Sequence, residues 1–119
     1  MRIHWIIVLL ISALVLSGCG GNIDNKDQIS AAKTFVKALI DADGKRIDKI
    51  NRSPALLYPT DYILVELAPR FSDFSLSDFE FEISENNPNI VIVTNKETER
   101  QYRMEFLEDS GRYYFFDLR

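Results

Sequence analysis

The sequence predicts an α+β domain in which N-terminal helices pack on a curled, cone-like antiparallel sheet of about four strands, behind a cleaved export signal. Two observations carry the prediction. Between residues 28 and 68 apolar residues recur at three- and four-residue steps, and from residue 79 onward they alternate at two-residue steps. The two periodicities do not interleave. Helices grouped before strands are the mark of an α+β arrangement rather than of a parallel sheet with crossover helices.

The first 25 residues stand apart from that pattern. Met1 to His4 carries one fixed positive charge, and Trp5 to Leu16 is an apolar run of 12 residues broken only by Ser12. Such a run matches a secretory h-region of about 7–15 residues and falls short of the roughly 20 needed to span a bilayer. Directly behind it, Leu16-Ser17-Gly18-Cys19 resembles the lipobox of bacterial lipoproteins. That resemblance implies signal-peptidase cleavage between Gly18 and Cys19, and a thioether-linked diacylglycerol on the Cys19 thiol. Cys19 is the only cysteine in the chain, so no intramolecular disulfide competes for it. Residues 1–18 are therefore expected to be the signal peptide, and residues 19–25 the lipidated cysteine with a short polar tether, Gly20 to Asn25. The domain proper is expected to cover 26–119.

From Gln28 to Asp43, Ile29, Ala32, Phe35, Val36, Leu39 and Ile40 fall on one helical face, opposite Lys33, Lys37 and Asp41. Asp24, Asn25 or Asp27 is expected to cap this helix, and Gly44 to end it. Lys45 to Asn51 predicts a second short helix with Ile47 and Ile50 buried. A third, Tyr62 to Ala68, is expected to be capped by Thr60 or Asp61 and closed by Pro69.

The strands follow. Phe79, Phe81 and Ile83 alternate with Glu80, Glu82 and Ser84, while Phe74 and Leu76 lie in the opposite phase, so Ser77-Asp78 is expected to form a bulge or bend. Asn86 to Asn89 is a turn. Ile90 to Thr94 is apolar on both faces, and Asn95-Lys96-Glu97 turns the chain again. Tyr102, Met104 and Phe106 alternate with Gln101, Arg103 and Glu105. Asp109-Ser110-Gly111 makes the last hairpin turn into Arg112–Leu118. Val36, Leu39 and Ile40 are expected to pack on Phe81, Ile92, Tyr102 and Met104. Tyr113 and Phe115 are expected to face the helix. Tyr114 and Phe116, extended by Val91 and Val93, are expected on the open face beside the charges of Glu80, Glu82, Arg103 and Glu105.

The helix Ala31-Ala32-Lys33-Thr34-Phe35-Val36-Lys37-Ala38-Leu39, the break at Asp41 to Lys45, and the closing Gly111-Arg112-Tyr113-Tyr114-Phe115 together resemble the nuclear-transport-factor-2-like superfamily, the cystatin-like α+β cone. The resemblance implies a conical pocket between the long helix and the concave sheet. Phe35, Tyr62, Phe81, Tyr102, Tyr113 and Phe115, with Tyr58 and Phe71, are the candidate lining. It does not name a function, since folds of this breadth host many.

The chemistry is sparse. The one histidine, His4, lies in the signal, and the one cysteine is the expected lipid site, which leaves the mature domain without the common base or nucleophile. Carboxylates near tyrosines (Asp61 with Tyr62, Asp78, Asp117 near Tyr114) are equally explained as a helix cap, a bend residue and a solvated strand end. Asp41 and Asp43 lack the run of oxygen ligands a calcium loop needs. No catalytic residue, metal or cofactor is expected. Loss of residues 1–18 removes Arg2 from 14 basic residues and none of the 18 acidic ones, giving a net charge of −5 that disfavours nucleic acid. The reading is a lipid-anchored binding or interaction domain of the bacterial cell envelope, in the cell membrane or the outer membrane. Its partner is expected to be an envelope protein or a small amphipathic ligand, with a weak homodimer through Tyr114 and Phe116. The competing readings are an enzyme of the same fold with an Asp–Tyr pocket, and an inhibitor or immunity-type lipoprotein.

Overall fold

The computed structural model describes residues 23–54 and 57–119. The expected signal, the cleavage site at Gly18 and the lipid site at Cys19 lie outside the described residues. Helix α1 spans Gln28–Asp41. Asp27 begins it in extended geometry, its side chain accepting a 2.7 Å hydrogen bond from the Ser30 N–H, one of the donors a helix start leaves open. That bond holds the Asp27 carboxyl below the usual carboxylate range. Ala31, Ala32, Phe35, Val36, Ala38 and Leu39 form the buried face.

α1 ends earlier than the apolar spacing suggests, and Gly44 does not end it. Ala42 takes the left-handed conformation (φ 50°, ψ 44°), and Asp43 is committed to the next helix, α2 (Gly44–Ile50), which its carboxylate caps at the Arg46 N–H. Gly44 is the first residue of α2. A Cβ there would lie 3.2 Å from Leu64 Cδ1, so the glycine permits a close approach between this helix start and the third helix. Ile47 and Ile50 are buried, as their spacing predicts.

The third helix, α3, is continuous but irregular: α-helical over Thr60–Tyr62, π-helical over Ile63–Leu67 and 3-10 over Ala68–Arg70. Pro59 stands at its N-cap without a side-chain bond, and the Thr60 hydroxyl instead donates to Asp48 Oδ1 at 2.9 Å. Pro69 does not close it, because proline is tolerated in the first positions of a new helical turn, where no N–H is needed. Ahead of the sheet, the expected bulge is a 3-10 turn, Leu76–Asp78, stabilised by reciprocal hydrogen bonds between Ser75 and Asp78.

Four strands, β1 (Phe79–Ile83), β2 (Ile90–Asn95), β3 (Gln101–Asp109) and β4 (Arg112–Leu118), form an antiparallel meander in the order β1-β2-β3-β4. The sheet is open. Phe81 pairs with Val93, Ile83 with Val91, Val91 with Met104 and Val93 with Tyr102. Paired residues share a face, so Val91 and Val93 belong to the core, both fully buried, and do not extend an open-face patch. Ile92 sits between Glu82 and Arg103 on the open face and does not pack under α1. The expected core is otherwise present: Val36, Leu39 and Met104 are fully buried, with Ile40, Phe81 and Tyr102 partly buried against them.

On β4 the alternation runs through Phe115, buried under α1, until the register shifts opposite Glu105 and Phe106, where Phe116 is the extra residue. Tyr114 pairs with Leu107 and Phe116 has no partner in the ladder; both are half-buried. The Arg52 guanidinium lies 3.9 Å from the Tyr114 ring centroid and covers part of it. Glu105, expected to be wet, is 8 % exposed, with its Oε1 accepting from Arg119 Nε at 3.0 Å.

Candidate functional site

The six aromatic residues singled out from the sequence are dispersed. Phe35 and Phe115, both fully buried, stack at 4.3 Å with planes 11° apart, and Phe106 meets them edge-on at 6.2 and 5.9 Å. These three rings lie where helix and sheet meet, and their mutual contact fills that space with side chains. Tyr113 is partly buried at the margin of the same core. Tyr62 stands 47 % exposed on α3, 5.9 Å from Tyr58, whose ring in turn meets Phe115 edge-on. Tyr102 packs on Phe71 and borders a surface recess with Arg70, Phe74 and Arg100. Phe81 lies elsewhere, beneath Lys33 of α1, whose Nζ is 5.9 Å from the ring centroid.

The carboxylates weighed for catalysis occupy structural roles or water. Asp78 closes the Ser75 turn, and Asp61 is exposed. Asp117 and Glu105 both face the Arg119 guanidinium, at 3.7 and 3.0 Å. Desolvation, followed by the nearby charge of Asp117 and by Tyr62, pushes the Tyr58 phenol up, which keeps it protonated at neutral pH. A phenol in that state donates hydrogen bonds and does not serve as a base. Asp41 pairs with Lys37 at 3.2 Å, and Asp43 with Arg46 at 3.5 Å while capping α2, so both turn carboxylates have local partners. Among the described residues no group of three or more His, Cys, Asp and Glu is placed to hold a metal ion.

Two features the sequence did not signal concern the edges of the sheet. The outer edge of β4 is covered. Asn25, fully buried, exchanges two 2.9 Å bonds with Tyr113: the Tyr113 N–H donates to the Asn25 carbonyl, and Asn25 Nδ2 donates to the Tyr113 carbonyl. Arg112 holds the remaining Asn25 Oδ1 at 3.1 Å. Farther along, the Arg52 N–H donates to the Phe115 carbonyl at 2.8 Å, and Asn51 makes a parallel bridge to Phe115. Asn51 also ties down the following loop, its Nδ2 reaching the Tyr58 carbonyl at 2.9 Å. Three polar residues outside the sheet, Asn25, Asn51 and Arg52, thus finish what would be an exposed ladder.

The outer edge of β1 has no such cover among the described residues. Beside it a groove of about 520 Å³ runs between α1 and the strand, lined by Ile29, Lys33, Leu76, Ser77, Phe79 and Phe81. Its floor is apolar, and its cation is Lys33. This groove with its adjoining strand edge is the candidate site, and the arrangement is suited to non-covalent recognition of an extended apolar segment. Comparison with family models, with curated proteins and with solved structures returned no match.

Proposed function

We propose that this chain is a lipid-anchored, non-catalytic interaction domain of a bacterial cell envelope, held in the membrane by a diacylglyceryl group on Cys19 and built on the cone of the nuclear-transport-factor-2-like superfamily. The observation that carries the reading is the run Leu16-Ser17-Gly18-Cys19 behind the apolar Trp5–Leu16. It places an acylatable thiol four residues ahead of Ile23, which already packs against the core. Support for recognition rather than catalysis comes from the three-ring contact of Phe35, Phe106 and Phe115, which occupies the space under α1 with side chains. It also comes from Arg119, whose guanidinium pairs with both Glu105 at 3.0 Å and Asp117 at 3.7 Å. Binding then falls to the outside of the domain, where the groove along β1 offers an apolar floor.

The anchor is tested by membrane fractionation and mass spectrometry of the full-length protein expressed in a bacterium. The wild-type chain should begin at Cys19 and carry diacylglycerol mass, and Cys19→Ala should accumulate as an unacylated, uncleaved precursor, since no other residue can form the thioether. A mature wild-type chain without acyl mass, or one beginning elsewhere, would overturn the anchor.

A further inference from the structure

The hydrogen-bond phase of β1 decides what its free edge offers. The Ser84 N–H donates to the Ile90 carbonyl, and the Lys96 N–H donates to the Asp78 carbonyl, so even-numbered residues of β1 spend their backbone groups on β2. The odd-numbered residues therefore turn theirs outward. Phe81 and Ile83 each present an N–H and a C=O, and Phe79 presents its C=O, its N–H being bonded to the Leu76 carbonyl. No side chain or loop among the described residues meets these groups, in contrast to the closure of β4 by Asn25 and Asn51-Arg52.

The side chains decide what that edge accepts. Toward α1 the edge is bordered by the apolar groove over Phe81, with Ile29 and Leu76 on its walls. Toward the open face it carries Glu80 and Glu82, both exposed and neither in an ion pair among the described residues. A second copy of the chain is a poor occupant. The outward groups sit on odd residues, so any antiparallel self-pairing keeps odd residues opposite odd and even opposite even. Every such register that overlaps three or more residues of the strand sets Glu80 or Glu82 directly across from Glu80 or Glu82 of the other copy, and like charges directly opposed are destabilising. The same two carboxylates that repel a copy attract a strand with cations at those positions.

The geometry points to β-strand addition at β1: the domain binds an extended segment of a partner protein whose alternate residues are apolar, filling the groove over Phe81, and basic, meeting Glu80 and Glu82. Main-chain bonds to Phe81 and Ile83 supply a sequence-independent share of the affinity, and the two carboxylates supply the choice of partner. This deepens the interaction reading of the domain and is independent of the anchor, so it stands or falls separately from acylation of Cys19.

The test uses the full-length protein in a non-ionic detergent and two capped peptides of about six residues, an ordinary strand length. One alternates valine with lysine, and the other valine with glutamate. The valine–lysine peptide should bind about tenfold more tightly, and it should slow amide exchange at Phe81 and Ile83 by at least about tenfold. Charge reversal on the exposed face, Glu80→Lys with Glu82→Lys, should invert the preference without disturbing the core, as neither side chain is buried. Equal affinity for the two peptides, protection at residues other than Phe81 and Ile83, or an unchanged preference in the charge-reversed variant would each overturn the proposal. Absence of binding at millimolar peptide would overturn it as well.

Discussion

Phe35 is the residue on which a filled core and an aromatic-lined pocket disagree most sharply. Its ring is fully buried and touches two others, stacked on Phe115 at 4.3 Å and edge-on to Phe106 at 6.2 Å. Phe35→Ala removes the ring and leaves an apolar void that the surrounding helix and strands close only in part. Such truncations cost about 3–5 kcal/mol, and two ring contacts of about 0.5–1.5 kcal/mol each lift this one above the lower end, to about 4 kcal/mol. With a urea dependence of about 1.5 kcal/mol per molar for a domain of this size, the unfolding midpoint should fall by roughly 2–3 M. Phe35→Leu, which keeps most of the volume and loses the ring geometry, should cost only about 1–2 kcal/mol. Urea titration followed by far-ultraviolet circular dichroism measures both. A loss below about 1 kcal/mol for Phe35→Ala would mean that the ring borders open space, and that the region under α1 is a cavity rather than packed core.

Two further predictions concern backbone and caps. Ala42→Gly should stabilise the domain by about 0.5–1 kcal/mol because Ala42 holds φ 50° at the end of α1, whereas Gly111→Ala should destabilise it by about 1 kcal/mol. The second cost is one of backbone alone, since φ is 83° and nothing lies within 4 Å of the added Cβ; opposite shifts in thermal midpoint check the pair. Asp27→Ala should cost about 1 kcal/mol near neutral pH through loss of the cap. The Asp27 carboxyl is depressed in the folded state, so its contribution is complete above the usual carboxylate range and is lost as pH falls through the folded value. The stability difference between wild type and Asp27→Ala should therefore shrink on acidification, as read from denaturant midpoints at a series of pH values.

The elements with a clean local period were legible in the sequence. The face of α1, the Phe79-Phe81-Ile83 alternation, the four strands and their three turns follow from spacing and turn residues alone. Which face of the strand Ile90–Thr94 turns inward was not, because a run that is apolar at nearly every position carries no phase of its own. Its phase comes from its neighbours, and pairing with Phe81 and Met104 sends Val91 and Val93 inward. The break after α1 was expected at Gly44, and the demand of α2 for Asp43 as its cap moves it to Ala42. Closure of β4 by Asn25 had no sequence signal, because the residues that meet are 88 positions apart and an asparagine in a polar stretch looks like tether. The open edge of β1 is the complement of that closure, and it becomes visible only once the strand order is known.

The bonds between Asn25 and Tyr113 also determine how the domain bears load. Asp24 and Asn25 lie at the margin of the sheet, beside the start of β4, and a pull applied to Ile23 falls first on Asn25 and on the Thr34 hydroxyl that holds the Asp24 carbonyl at 2.7 Å. The pull acts on the last strand of the ladder while β1 stands at the other margin, three strand spacings or about 14 Å away. A body drawn toward a support by one margin turns the opposite margin outward, as a pennant does on its pole. With the proposed anchor at Cys19 as the support, the side of the domain that faces it is then set by Asn25, and β1 is the margin turned away.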